Sequence, residues 1–132
     1  MKPEDIRFED LDKGLIAAPH LVRWCGAIEN YHRIHYDQPF ATGHEGLPDV
    51  IINGSWMQHL FVEYVNHATH RKFPIVSLDY AFKQTARVNS RIVVRGARAD
   101  PFLGVDGYAL ALSIEANGET VATGRAVIRA SN

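Results

Sequence analysis

Asn53-Gly54-Ser55-Trp56-Met57-Gln58-His59-Leu60-Phe61-Val62-Glu63-Tyr64-Val65-Asn66-His67-Ala68 is the stretch on which the fold turns. Met57, Leu60, Phe61, Tyr64, Val65 and Ala68 recur with the three-and-four spacing of one helical face, while Gln58, His59, Glu63, Asn66 and His67 fall on other faces. That pattern predicts an amphipathic helix of about four turns. Ser55 followed by Gln58 has the spacing of a capping box and sets the expected start. Arg71 and Lys72 suit the negative end of the helix dipole and Pro74 cannot continue it, so the end is expected near residues 69–72. Such a helix must bury its apolar stripe against a surface.

The surface comes after it. Val76, Leu78, Tyr80 and Phe82 alternate with Ser77, Asp79, Ala81 and Lys83, the period of a half-buried strand. Residues 91–95 (Arg-Ile-Val-Val-Arg) predict a second strand, and Tyr108, Leu110, Leu112 and Ile114 a third. Asn117-Gly118 is a strong hairpin turn, because both residues tolerate positive φ. It leads into a fourth strand over residues 120–129, where Ala122, Gly124 and Ala126 make a small-residue face of the kind a helix packs against closely. Before the long helix the signals are weaker: a strand over residues 15–17, a short helix over 21–30, and a loop over 36–49 punctuated by Pro39, Gly43, Gly46 and Pro48. The expected class is α+β, with one antiparallel sheet wrapped around one long central helix.

With 132 residues the chain is expected to form a single domain over 1–132. Hydrophobic residues make up 46 %, which excludes disorder, and one cysteine excludes a disulfide scaffold. Lys and Arg number 14 against 15 Asp and Glu, so no field invites nucleic acid or an anionic membrane. No apolar run reaches the roughly 20 residues of a membrane span, and the acidic opening residues do not read as a signal peptide. A cytoplasmic location is the expectation.

The chemistry gathers in Glu29-Asn30-Tyr31-His32-Arg33-Ile34-His35-Tyr36-Asp37, between the predicted short helix and the loop that follows it. His32 and His35 supply two ligands, short of the three or four that zinc takes, so no metal is expected. General acid–base work is the better reading: histidine titrates near working pH once a partner fixes its tautomer, and Asn30, Glu29 and Asp37 are candidate partners. The alternative is a set of ordinary loop residues that cap turns and pair Arg33 with Asp37. Cys25, in an apolar context, reads as a small buried residue rather than a nucleophile. Gly54 has a second use, since the first amides of a helix lack intrahelical partners and face its positive end. The amides of Gly54 or Ser55 could then hold an enolate-like oxygen, although a glycine at this position taken by itself reads as a plain helix cap.

Asn30-Tyr-His32-Arg33-Ile34-His35-Tyr-Asp37-Gln-Pro-Phe-Ala41, followed by Gly46-Leu-Pro-Asp-Val-Ile-Ile-Asn-Gly54-Ser55, resembles the MaoC-like hot-dog hydratases and dehydratases, of the (R)-specific enoyl-CoA hydratase and 3-hydroxyacyl-thioester dehydratase type. The resemblance covers nearly the whole domain and implies a hot-dog fold. It implies hydration of an enoyl thioester or dehydration of a 3-hydroxyacyl thioester, on coenzyme A or acyl carrier protein, with the thioester as substrate and no cofactor. By that resemblance His35 matches the catalytic histidine and Gly54 the oxyanion donor, with Ser55 beside it. Asn30 stands where the family has aspartate, and His32-Arg33 where it has Asn-Pro. Asparagine cannot take a proton at neutral pH. The variant is similar to the branch holding mitochondrial-type 3-hydroxyacyl-thioester dehydratases and mesaconyl-CoA-type hydratases. On this basis His35 is the principal acid–base, His32 or Glu29 the second group, and Asn30 a water holder.

Two alternatives share the fold. One is a hot-dog acyl-CoA thioesterase, which needs a helix-borne acid near the thioester; Glu63 lies far from the helix start. The other is a non-catalytic or half-catalytic subunit of a heteromeric MaoC-like hydratase. A homodimer or higher even oligomer is expected, because one sheet around one helix leaves an edge and a flank to cover.

Overall fold

The computed structural model describes residues 1–99 and 107–129. The elements run β1 (Leu11–Ile16), α1 (Ala18–Ala27), α2 (Gly54–Ala68), β2 (Ile75–Phe82), β3 (Ser90–Ala99), β4 (Tyr108–Ala116) and β5 (Glu119–Ile128). All pair antiparallel in one sheet of order β1-β3-β4-β5-β2, and α2 lies against β2, β3, β4 and β5. This is the hot-dog arrangement, with α2 as the filling. No described helix is long and apolar enough to cross a membrane.

The predicted face of α2 is the buried one. Leu60, Phe61, Tyr64 and Val65 are 0 % exposed, and Met57 and Ala68 are buried beside them. Each such burial contributes about 1.5–3 kcal/mol. The sheet opposite them is made of small residues where the helix comes closest. A Cβ on Gly124 would stand 3.3 Å from the Phe61 ring, and one on Gly96 only 2.4 Å from the Tyr64 ring. Ala122 and Ala126 are fully buried on the same strand as Gly124.

Four details differ from the sequence reading. The helix starts two residues earlier than the capping box implied: Asn53 is the N-cap, and Ser55 lies inside the first turn with its hydroxyl accepting from Trp24 Nε1 at 3.0 Å. The first strand begins at Leu11, and α1 begins at Ala18 with Pro19 in its first turn, where a missing N–H costs nothing. The segment taken as loop carries a short helical turn, Phe40–His44, held by the Asp37 carboxylate accepting from the Phe40 amide at 3.2 Å. Lastly, β2 is not half-buried: it is an outer strand, and Val76, Tyr80 and Phe82 are 52, 40 and 47 % exposed. Period-two alternation reports a strand but not whether a neighbour covers it.

Candidate active site

Helix α1 ends where the acid–base loop begins. Glu29 takes a positive φ of 55° to turn the chain, and the Asn30 amide donates to the Cys25 carbonyl at 2.9 Å. Asn30 Oδ1 then accepts from the His32 amide (3.2 Å), and His32 Nδ1 accepts from the Ile34 amide (3.4 Å). These local bonds wind the single turn Arg33–His35. Arg33 closes the outside, pairing with Asp37 at 2.9 Å and lying 4.3 Å above the Phe40 ring. That guanidinium holds the Asp37 carboxyl below its usual range, with help from the Phe40 amide.

The same turn is fastened to the run that enters α2. The Ile51 amide donates to the Ile34 carbonyl at 3.1 Å, and the Ile52 amide to the Ala86 carbonyl at 2.7 Å. The consequence is that His35, 8 % exposed, sits with Nδ1 2.8 Å from the Ile51 carbonyl. A carbonyl only accepts, so Nδ1 carries the proton and Nε2 keeps its lone pair. Burial pushes the His35 pKa below 6.5; the Ile51 carbonyl opposes the shift, and the nearby His32 adds to it. The imidazole is therefore neutral at pH 7.

His35 and Gly54 line one cavity of about 350 Å³, walled by Ile51, Ile52, Met57 and Phe82 and rimmed by Lys83, Gln84 and Thr85. Gly54 is the first residue of α2, so its amide has no carbonyl one turn back, and the Asn53 side chain does not cap it. Phe82 covers the glycine closely: a Cβ there would meet the ring at 2.9 Å. The cavity thus joins a neutral imidazole, a free backbone donor at the positive end of a helix and an apolar wall.

Asn30, His32 and Ser55 do not line that cavity. Asn30 is half-buried at the loop start and His32 is exposed, its ring centroid 6.0 Å from that of His35. Ser55 is exposed on the side of α2 that faces Trp24. The wall that sequence reasoning missed is the last residue of β2, Phe82, with Lys83, Gln84 and Thr85 that follow the strand. Its residues lie some thirty positions beyond the motif and carry no acid–base chemistry, so only the sheet register brings them in. Other aromatic residues stand elsewhere: Phe61 is spent in the core, Phe40 packs on Arg33 and His44, and Trp24 and Trp56 line a separate cavity of about 330 Å³. A larger cleft of about 620 Å³ runs past His59, Glu63 and His67 on the outer flank of α2, away from His35. Its carboxylate, Glu63, is already paired with Lys13 at 2.8 Å. Among the described residues no three His, Cys, Asp or Glu side chains are gathered as a metal site would need.

By comparison with known proteins this hot-dog domain falls in the class of hydroxyacyl-thioester dehydratases. The family model for hydroxyacyl-thioester dehydratase type 2 matches residues 6–88, and the chain belongs to that family. It is similar to a mesaconyl-C(4)-CoA hydratase of Chloroflexus aurantiacus, 38 % identical over 60 residues, which are 46 % of this chain and 21 % of the relative. The chain therefore spans about a fifth of that curated relative's length. Among solved structures, the (R)-hydratase of A. caviae involved in PHA biosynthesis superposes with a TM-score of 0.82 at 17 % identity, covering 96 % of each chain. A chain of the ChsH1-ChsH2 complex of Mycobacterium tuberculosis gives 0.82 at 12 % identity, covering 96 % of this chain and 97 % of that one. These two likenesses are of fold.

Proposed function

We propose that the chain interconverts an enoyl thioester and a 3-hydroxyacyl thioester, carried on coenzyme A or an acyl carrier protein. The observation that carries the reading is that neutral His35 and the free Gly54 amide share one cavity. In hydration His35 Nε2 takes a proton from water while the water oxygen bonds to C3. The C2=C3 electron pair moves toward the carbonyl, and the enolate oxygen accepts from the Gly54 N–H at the positive end of α2. The imidazolium then returns the proton to C2, so one water is added and His35 is neutral again. Dehydration is the reverse. Asn30 keeps its Nδ2 donors for a water, since only Oδ1 is engaged by the loop. His32, the second group of this reading, lies beside His35 with ring centroids 6.0 Å apart. Ser55 Oγ, held by Trp24, supports the helix head beside Gly54.

The mesaconyl-C(4)-CoA hydratase likeness favours a coenzyme A thioester over one on a carrier protein. The thioesterase alternative loses its acid, because Glu63 lies in another cavity and is paired with Lys13. Val76, Tyr80 and Phe82 are exposed along the outer strand β2, and Phe82 walls the site, so the working unit is a dimer joined along β2. A second reading keeps the same edge but gives it to a different hot-dog chain; Asn30 in place of an acid favours it.

One assay tests these readings. Purified protein is given enoyl-CoA esters of several chain lengths while enoyl absorbance and free thiol are followed together. Loss of absorbance without thiol supports the hydratase, and thiol release supports a thioesterase. Neither signal from the chain alone, with activity on adding a second hot-dog chain, supports the heteromer.

A further inference from the structure

Two adjacent residues of α1 grip the two residues that flank Gly54. Trp24 Nε1 donates to Ser55 Oγ at 3.0 Å on one side. On the other, Asn53 Nδ2 donates to Cys25 Sγ at 3.5 Å, with the sulfur 4.0 Å from Asn53 Oδ1. Asn53 is 0 % exposed. An asparagine at an N-cap ordinarily turns its oxygen onto the amides of its own helix. Asn53 makes no such bond, because its amide is engaged by the thiol. The Ser55 hydroxyl, the other side chain able to reach back to the helix head, is engaged by the indole. No cap competes for the first amides of α2, yet the Asn53–Gly54 peptide is tethered through the side chains on both sides of it.

The same helix sets the other half of the site. The Cys25 carbonyl accepts from the Asn30 amide at 2.9 Å, so the loop that carries His35 leaves from the residue that holds Asn53. Cys25 thereby joins the acid–base loop and the oxyanion donor through its own backbone and side chain.

We propose that Trp24 and Cys25 are positioning residues: acting through Ser55 and Asn53, they keep the Gly54 N–H free and aimed at the substrate oxygen. This rests on the hydration reading above. The first turn of a helix frays when nothing holds it, and a donor stabilises a developing oxyanion only when it is already in place. A displacement near 1 Å at such a donor costs about 100-fold in rate.

The test uses the full chain with C25A, C25S and W24F variants and two measurements. In ¹⁵N relaxation the wild-type Gly54 amide is rigid, with an order parameter of about 0.85, and falls toward about 0.6 in C25A and W24F while the rest of α2 is unchanged. In hydration of the enoyl-CoA the protein turns over best, C25A and W24F lower kcat by about tenfold and leave KM within about twofold. C25S, whose hydroxyl can both donate to and accept from the Asn53 amide, regains most of the lost kcat and order. A wild-type Gly54 amide that is mobile, or one equally rigid in both variants, overturns the proposal, as does wild-type kcat in both. Should the wild type hydrate no enoyl-CoA, the functional reading fails, and the relaxation data alone still decide the clamp.

Discussion

At His35 two neighbours pull in opposite directions, and the balance sets a pH dependence. Burial disfavours the imidazolium more than the Ile51 carbonyl favours it, and the like charge of His32 adds to the burial effect, so the folded pKa lies below 6.5. Hydration that begins from neutral His35 is flat above pH 6.5 and falls as pH drops through that lower value. A profile of kcat/KM against pH reads it, and H32Q moves the acid limb up toward 6.5. Stability follows the same sign. Below pH 6.5 the unfolded chain takes up the histidine proton before the folded chain does, so stability declines as pH falls through the folded pKa. H35A removes the base altogether and lowers kcat by about 100- to 10,000-fold; near-normal turnover in that variant would end the assignment. Gly54 answers to shape instead of charge. In G54A the new methyl meets the Phe82 ring at 2.9 Å, but that ring is 47 % exposed and can move. The fold survives, the ring swings into the cavity, and kcat/KM falls about tenfold. Adding F82A to G54A restores part of it if the ring is the cause.

At the level of elements, what was legible in the chain was whatever local pattern controls. The buried face of α2 is written in its own spacing, and its end at Ala68 is marked by Thr69, Arg71 and Lys72 within a few residues. The small face of β5 was legible too, because glycine and alanine on a strand have few other uses than close approach. Gly96 carries the same logic more severely and was not singled out, since a lone glycine inside a strand does not say which ring lies above it. A methyl there would stand 2.4 Å from the Tyr64 ring, which is 0 % exposed and cannot leave. G96A therefore costs about 2 kcal/mol and lowers Tm by several degrees in a thermal melt. G26A, at a helical position with open space around it, leaves Tm unchanged or slightly raised. The capping-box spacing misleads for a reason of the same kind. Ser55 and Gln58 have the right spacing, but the hydroxyl is taken by Trp24, 31 residues earlier in the chain. Of the residues lining the candidate cavity, His35 and Gly54 stand out by residue type. The β2 wall does not, because Phe82, Gln84 and Thr85 acquire their role from the fold alone.

For the whole molecule the deciding feature is the outer edge of β2. β1 and β2 are the two edges of the sheet: β1 is tied to β3 by the Asp12–Arg91 pair, and β2 has β5 on one side and no described strand on the other. Exposed Val76, Tyr80 and Phe82 make that edge apolar, the arrangement that draws in a second strand. In the proposed dimer a two-fold partner pairing there would set its own β2 beside Phe82 and close the cavity from outside, excluding bulk water from the proposed enolate. V76K tests this, because a lysine on an edge strand opposes strand pairing while leaving an exposed position within one chain undisturbed. The expected result in light scattering and sedimentation is a shift from dimer to monomer with an unchanged circular dichroism spectrum. Enoyl-CoA hydration should fall by about 100-fold in parallel, since a donor and base left open to water lose most of their electrostatic advantage. A variant that stays dimeric moves the interface away from β2, and a monomer with full activity makes the site complete within one chain.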